Sequence, residues 1–432
     1  MLVSKVLPRS VEDLFSFERH EIASMNHSLG PIRLVLEELG DPQCTFDAVL
    51  VGGTNGKGST STFIYSVLLE AGYSVGLYTS PHLLDVRERI MLRGYLVSRK
   101  ELDQAFMEVL RAVLKAGTVL SFFEWITAMM FFVFSKAKLD IAVLEVGMGG
   151  RLDATNLCKK KATVITSVGK DHSLYLGNTL KSVLKEKAGI LKPDTPLFAN
   201  IKLQSLKIEL ISIARSIGSY AYFLGESFFV TETESSLNGS TFNYHGPKWK
   251  TSIRINMPGI HQVENASLAI ACLEYLGEHC GFDIDLKTLA GGLSKAHVKA
   301  RLQVIHRDPL WVLDGAHNVE GVISLLFFIK ESLGGVLPVW VVSISKGKDI
   351  RSILKCMQSM SSAFIFPSVN HERLVSANDL SNVANNLSIR YMVVPSLYDA
   401  LTLLDAKKPV VFAGSLFFAA EVLKHYAYIH EE

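Results

Sequence analysis

The chain has 432 residues, with 44 Lys and Arg set against 42 Asp and Glu for a formal net charge of +2. That balance gives no electrostatic bias toward nucleic acid or a membrane surface, so neither is expected as a partner and specificity has to come from local sites. The length exceeds one ordinary core and implies two or three domains.

In chain order, Met1 to Ser10 lacks the sustained apolar segment of a signal peptide, so nothing directs export and a cytoplasmic location is expected. Over the first half, apolar strands at Ala48 to Gly52, Ser74 to Thr79, Asp140 to Val146, Thr163 to Val168 and Pro196 to Ala199 alternate with helical patterns. The helices are predicted at Ser59 to Ala71, Ser98 to Lys115, Phe122 to Ala137 and Leu180 to Leu191, and the alternation reads as a parallel sheet covered on both faces. The longest apolar run, Trp125 to Phe134, is about half the length of a membrane span, so it is expected to be a core helix.

Tyr220 to Ile255 changes to short runs with polar turns at Asn238-Gly239 and His245-Gly246-Pro247, which is hairpin chemistry. A helix from His261 to Leu276 and a second one follow, and Lys295 to Ala300 reads as a linker. The alternation then restarts, with strands at Trp311 to Asp314, Val339 to Ile344, Ala363 to Pro367, Tyr391 to Val394 and Val410 to Ala413. Four helical stretches lie between them and a fifth follows, and a second doubly wound sheet of Rossmann type is expected. The domains are predicted at 1–296 and 297–432. Five cysteines, Cys44, Cys158, Cys272, Cys280 and Cys356, are scattered without a C-x-x-C pair, as suits buried thiols in a reducing compartment.

The stretch from Gly52 to Ser59 carries the most chemistry. Gly52, Gly53, Gly56 and Gly58 let backbone approach an anion, and the following helix start aims its amides and positive dipole end at the same place. Lys57 adds a point charge, and Ser59 a hydroxyl. The spacing differs from the usual G-x-x-x-x-G-K-[ST] phosphate loop, because Gly58 separates the lysine from the hydroxyl. Other polar groups just past parallel strand ends should meet this loop: Ser80 and His82 after one strand, Glu145 after another, Asp171 and His172 after a third. These oxygen and nitrogen donors suit magnesium beside a nucleotide. Glu145 ends an almost wholly apolar strand and must be paired, metal-bound or solvated; taken singly, it serves as well as a helix cap or salt-bridge partner. His172 alone reads equally as a surface residue, and Ser80 before Pro81 as a turn residue.

Gly53 to Ser59, Thr79-Ser80-Pro81-His82, Glu145 to Asn156, Asp171-His172, Lys185 to Ile190, His261 to Ala266 and Asp314-Gly315-Ala316-His317-Asn318 occur in the order found in folylpolyglutamate synthases. Over nearly its whole length the chain resembles that family, within the Mur ligase superfamily of ATP-dependent amide-forming enzymes. The resemblance implies an α/β protein with an N-terminal Mur-ligase-type parallel-sheet ATPase domain, a small hairpin sheet and a C-terminal Rossmann-like domain. It implies a monomer that joins L-glutamate to dihydropteroate or a folate through an acyl phosphate. Two rivals are a peptidoglycan-precursor ligase and a non-catalytic ATP-dependent binding switch.

By the same resemblance, Asn55, Gly56, Lys57, Gly58 and Ser59 hold the ATP phosphates, while Asn265, Arg301, Asp314 and His317 hold the rest of the nucleotide. Ser80 and Glu145 would bind one magnesium ion and His172 a second, with Lys187 carried as a carbamate. On residue pattern alone, Lys187 joins Lys181, Lys185 and Lys192 on the wet face of a helix. Lys57, Lys187 and His172 are the expected catalytic residues. The pterin is expected against Ser28, Leu29, Gly30 and Pro31, Phe122, Phe123 and Glu124, and Leu152, Asp153 and Ala154, with Phe123 stacking on the ring, and His82 is a further expected substrate contact; Phe122 and Phe123 also read as core. Departures from the family pattern are Lys170, expected to place an extra cation beside the second metal, the tract Lys299 to Gln303, and Lys346 to Asp349.

Overall fold

The computed structural model describes residues 7–18, 28–171, 173–404 and 407–430. The N-terminal elements are α1 (Val11–Glu18), α2 (Gly30–Glu38), β1 (Asp47–Gly52), α3 (Lys57–Glu70), β2 (Val75–Tyr78), β3 (Ile90–Leu92) and β4 (Tyr95–Leu96). They continue with α4 (Arg99–Ala116), α5 (Phe122–Ala137), β5 (Ile141–Glu145), β6 (Lys159–Ile165), α6 (Ser173–Leu176), α7 (Leu180–Ala188), β7 (Leu197–Ala199), α8 (Gln204–Ile217) and β8 (Ala221–Phe223). Their strands form one sheet in the order β4-β3-β2-β5-β1-β6-β7-β8, parallel from β2 to β8 and antiparallel at the β3 and β4 edge.

The sheet is buried on both faces because its central strands β1 and β5 are apolar between their ends. Ala48 and Leu50 of β1 join one core with Ala142 and Leu144, while Val49 and Val51 join the opposite core with Ile141 and Val143. Helices α4 and α5 pack on the first face, each opened by a reciprocal cap in which a serine, Ser98 or Ser121, and a glutamate three residues on satisfy each other's backbone N–H groups.

A three-stranded antiparallel sheet of β9 (Phe229–Ser236), β10 (Gly239–His245) and β11 (Lys250–Ile255) follows, with α9 (Ile260–His279) and α10 (Leu286–Lys295) packed between it and α3. The predicted hairpin region is corrected at its start. Ala221–Phe223 is not hairpin but β8, the far edge of the large sheet, where it pairs in parallel with β7.

The C-terminal elements are β12 (Gln303–Arg307), β13 (Leu310–Leu313), α11 (Val319–Ser332), β14 (Val339–Val342), α12 (Ile350–Gln358), β15 (Ala363–Pro367), α13 (Ala377–Asn386), β16 (Tyr391–Val394), α14 (Leu397–Thr402), β17 (Val410–Ala413) and α15 (Leu416–His430). The sheet order is β12-β13-β17-β14-β15-β16, with β12 alone antiparallel. This is the expected second doubly wound sheet, with one edge strand added where the linker folds back. Ala300 and Leu302 both take left-handed backbone there, and their N–H groups are received by Gln303 Oε1 at 2.9 Å and Asp314 Oδ2 at 2.8 Å.

Candidate active site

The parallel order places every candidate loop at one edge. β1 lies between β5 and β6, and β2 lies beyond β5, so the chain leaves all four strands on the same side. The register pairs Val51 with Glu145 and Gly52 with Ile165, which sets the Glu145 carboxylate and the Thr166–Asp171 loop on either side of the glycine loop.

The glycines are required by conformation and space. Gly53 and Gly56 have φ of +146° and +87°, and a Cβ would sit 1.9 Å from Thr166 Oγ1 at the first and 2.2 Å from Asn265 Oδ1 at the second. Gly56 caps α3, so the first-turn amides of Lys57, Gly58 and Ser59 point out of the loop. Lys57 Nζ donates to Thr54 O at 3.3 Å, Asn55 N donates to Ser167 Oγ at 2.9 Å, and Thr166 Oγ1 donates to Asn55 O at 2.5 Å. Gly56→Ala should therefore cost about 1–2 kcal/mol of stability and weaken ATP binding by about tenfold or more, because both the left-handed backbone and the Asn265 contact resist a side chain. Nucleotide titration calorimetry on the folded variant reads the second effect; ATP binding equal to the wild type's would refute it.

Glu145 and Ser80 lie side by side. Ser80 N donates to Glu145 Oε2 at 2.9 Å, and a Cβ on Gly58 would lie 3.4 Å from the same oxygen. Burial raises the Glu145 pKa, opposed by the positive charges of Lys57, Arg301 and Arg89. A buried carboxylate next to a serine and the opening turn of α3 is a hard-oxygen donor set that fits a divalent cation carrying phosphate and water as its other ligands.

Lys187 is not on the wet face of its helix. It is 3% exposed on α7, whereas Lys181 and Lys185 lie outside and face Glu209 of α8. Burial, helped by the charge of Lys57 and opposed by Asp171, brings the amine down to about 7. Among the described residues, no hydrogen bond or ion pair holds its Nζ. His172 lies outside the described residues. Lys170 is exposed, and its N–H reaches Glu320 Oε1 at 3.3 Å.

The C-terminal domain closes on this edge. Asn318 caps α11 and exchanges two amide hydrogen bonds with Asn55 of the glycine loop, at 3.1 and 2.9 Å. Lys348 pairs with Asp171 at 2.5 Å, and His317 Nε2 lies 3.6 Å from the same carboxylate. Burial raises the Asp314 pKa, opposed by Arg301, and its oxygens accept from Leu302 N and Ala316 N at 2.8 Å each. Asn265 is buried, donates to Gln262 Oε1 at 3.0 Å and backs Gly56. Asn318 and Lys348 had no assigned part in the sequence reading. The helix-cap pattern marks Asn318 as a cap, but its bond to Asn55 crosses 263 residues.

The expected pterin contacts separate into two groups. Phe123 and Asp153 converge over Gly147, where a Cβ would lie 2.6 Å from the Phe123 ring and 3.2 Å from Asp153 Oδ2. Asp153 is buried, which raises its pKa, and accepts from Met148 N at 3.0 Å and from Thr155 N and Oγ1 at 3.0 and 2.5 Å. Phe122 and Glu124, by contrast, are packed inside the protein. Phe122 is fully buried beneath the Arg89 guanidinium, 5.1 Å from its ring, and Glu124 Oε2 is spent on the Ser121 cap. Ala154 is buried and Leu152 is exposed. Ser28 to Pro31 form the entry to α2, with Leu29 against the core shared by α5. His82 receives a hydrogen bond from Arg89 Nε at 2.9 Å, and burial together with the Arg89 charge lowers the imidazole to about 3.

The sequence matches the Mur ligase middle domain over residues 51–273 and the dihydrofolate synthetase C-terminal domain over residues 298–425. It is 33% identical over 411 residues to a Bacillus subtilis dihydrofolate synthase/folylpolyglutamate synthase, covering 92% of this chain and 94% of that one. The fold superposes on Escherichia coli FolC in complex with DHPP and ADP, with a TM-score of 0.85 at 25% identity over 96% of this chain and 98% of that one. It also superposes on a Yersinia pestis bifunctional folylpolyglutamate synthase/dihydrofolate synthase complexed with AMPPNP and a manganese ion, with a TM-score of 0.83 at 28% identity over 96% and 97% of the two chains.

Proposed function

This chain belongs to the family of dihydrofolate synthases and folylpolyglutamate synthases, and on that premise we propose that it is an ADP-forming ligase joining L-glutamate to dihydropteroate or a folate. The observation that carries the reading is the convergence of Lys57, Ser80, Glu145 and the buried Lys187 with Asn318, Arg301 and Asp314 of the second domain around one glycine loop.

In the proposed reaction, an acceptor carboxylate oxygen attacks the γ phosphorus of ATP and ADP leaves. The glutamate amine then attacks the acyl phosphate carbon, loses a proton, and expels inorganic phosphate. An amine does not displace hydroxide from a carboxylate at neutral pH, so phosphorylation is what opens the route to an amide. Lys57 and the first-turn amides of α3 spread charge on the transferring group, and positioning supplies most of the rest. Asn55 and Asn318 tie the loop to the second domain, which keeps water from the acyl phosphate.

Glu145 and the Ser80 hydroxyl would hold one magnesium ion, and His172 with Lys187 a second, supplying electrostatic stabilisation of phosphate oxygens when bound. Carbamylation of Lys187 requires a neutral amine, which attacks CO2, forms an N–C bond and releases a proton. A lysine held near pH 7 by burial supports that reading. Asn265, Arg301, Asp314 and His317 would take the nucleotide's remaining contacts, and Phe123 with Asp153 the pterin. No helix among the described residues is long and apolar enough to cross a membrane, and a cytoplasmic monomer belongs to the same proposal. Incubation with ATP, magnesium, glutamate and dihydropteroate should yield a product heavier by one glutamyl residue. ADP release without such a product, with dihydropteroate and with folates, would count against the reading and for an ATP-dependent switch.

A further inference from the structure

Lys187 stands in the last turn of α7, where a helix leaves its final four carbonyls without partners from its own turns. Three of the four are met by the chain that follows: Lys185 O accepts from Gly189 N at 3.2 Å, Lys187 O from Ile190 N at 3.2 Å and Ala188 O from Leu191 N at 3.0 Å. The fourth, Glu186 O, is met from outside the helix by Arg151 N at 2.9 Å. A Cβ on Gly150 would lie 2.9 Å from that same carbonyl, and one on Gly189 2.6 Å from Arg151 Cα, so these two glycines let the loop lie against the end of the helix.

Asn156 clasps this contact. It is 7% exposed, and its Nδ2 donates to Arg151 O and to Gly189 O at 3.0 Å each, one carbonyl from the loop and one from the residue that caps α7. Its Oδ1 accepts from nothing among the described residues, so the side chain acts through its two donors. The backbone beneath it is braced in turn, because Asn156 N donates to Asp153 O at 2.9 Å and Asp153 Oδ1 accepts from Thr155 N and Oγ1. The Arg151–Glu186 ion pair beside the clasp is half-exposed and screened by solvent, so it adds little.

Among the described residues nothing holds the Lys187 amine, and its place is set by the helix turn beneath it. We propose that Asn156 is a positioning residue, which pins the last turn of α7 to the Arg151 loop and so keeps Lys187 where its carbamate forms and stays. The proposal rests on the carbamate reading above, in which the amine adds to CO2 with formation of an N–C bond and loss of one proton from nitrogen. That addition is reversible. A frayed turn gives up the carbamate more readily, because the ordering it needs is no longer in place beforehand.

¹³C NMR of the chain in [¹³C]bicarbonate reads the carbamate with no need for turnover, its signal being assigned by loss in Lys187→Met. Asn156→Ala, shown to be folded by its thermal melt, should need about tenfold or more bicarbonate than the wild type to reach half of the full signal. Gly189→Ala disturbs the same contact from the helix side with Asn156 intact and should shift in the same direction; it carries the test where Asn156→Ala does not fold. In kinetics at ambient bicarbonate, both variants should lose about tenfold or more in kcat with KM for ATP within about threefold, and saturating bicarbonate should restore most of the loss. A merely structural defect would not respond to bicarbonate. A bicarbonate dependence equal to the wild type's, or a loss of turnover that bicarbonate leaves in place, overturns the proposal. A wild-type chain without a Lys187-dependent signal removes the carbamate reading and the proposal with it. A chain that carries the carbamate but forms no amide removes the ligase reading alone, and the shift in the ¹³C signal still decides what Asn156 does.

Discussion

Glu145→Gln is expected to lose roughly 10²–10³-fold in turnover while melting at a higher temperature than the wild type. The two effects share one cause. Glu145 ends the apolar β5 inside the protein, and burial raises its pKa, because ionising the side chain there carries a desolvation cost that Lys57, Arg301 and Arg89 only partly offset. A glutamine of the same shape retains the Ser80 N–H contact and removes that cost, but it also removes the negative charge that a divalent cation needs.

The sign with pH follows from linkage. With a folded pKa above 4.5, the native state holds a proton that the unfolded state has released, so wild-type stability falls as pH rises through that window. The stabilisation by glutamine should therefore be present at neutral pH and fade below about 4.5. Thermal melts across pH, beside steady-state kinetics, measure both. Lower stability together with full activity would show that Glu145 is a structural carboxylate.

Lys187→Met is expected to be as damaging to turnover, and its stability change should run with pH in the opposite sense. The native amine titrates at about 7 against an ordinary value of 10.5. Between those values the unfolded chain binds the proton and the native one does not, so wild-type stability rises with pH across the window. At or below pH 7 the wild type carries the full cost of a buried cation, on the order of a few kcal/mol. The methionine variant should gain most there and gain nothing near pH 10.5. Activity of the wild type should rise with added bicarbonate, and that of the variant should not respond. Wild-type turnover in the variant would remove the carbamate from the mechanism.

What the sequence reveals follows the range of the forces involved. The glycine loop is legible because strand end, left-handed turn, lysine and helix start are all local, and Glu145 because its four preceding residues are apolar. Lys187 defeats pattern reading. Its neighbours at 181 and 185 are wet, and only the packing of α7 into the core through Leu184 and Ala188 buries it. β8 is three residues long, too short for a two-residue period to declare itself, and α8 went unread because exposed Leu203 and Ile208 blur its apolar stripe at Leu206, Leu210 and Ala214. Phe122 and Phe123 are adjacent, yet helical geometry turns one into the core and the other toward Gly147. The links between domains, Asn55 to Asn318 and Asp171 to Lys348, are contacts between loops remote in the chain, and no local pattern encodes them.

The central claim is that triphosphate cleavage activates an acceptor carboxylate for attack by glutamate's amine. Dihydropteroate labelled with ¹⁸O in its carboxylate tests this most directly when turned over with ATP, magnesium and glutamate. One labelled oxygen should appear in the inorganic phosphate for each glutamyl product formed, because the C–O bond to the phosphoryl oxygen is the one that breaks. Phosphate released without label, its fourth oxygen coming from water, would contradict the account.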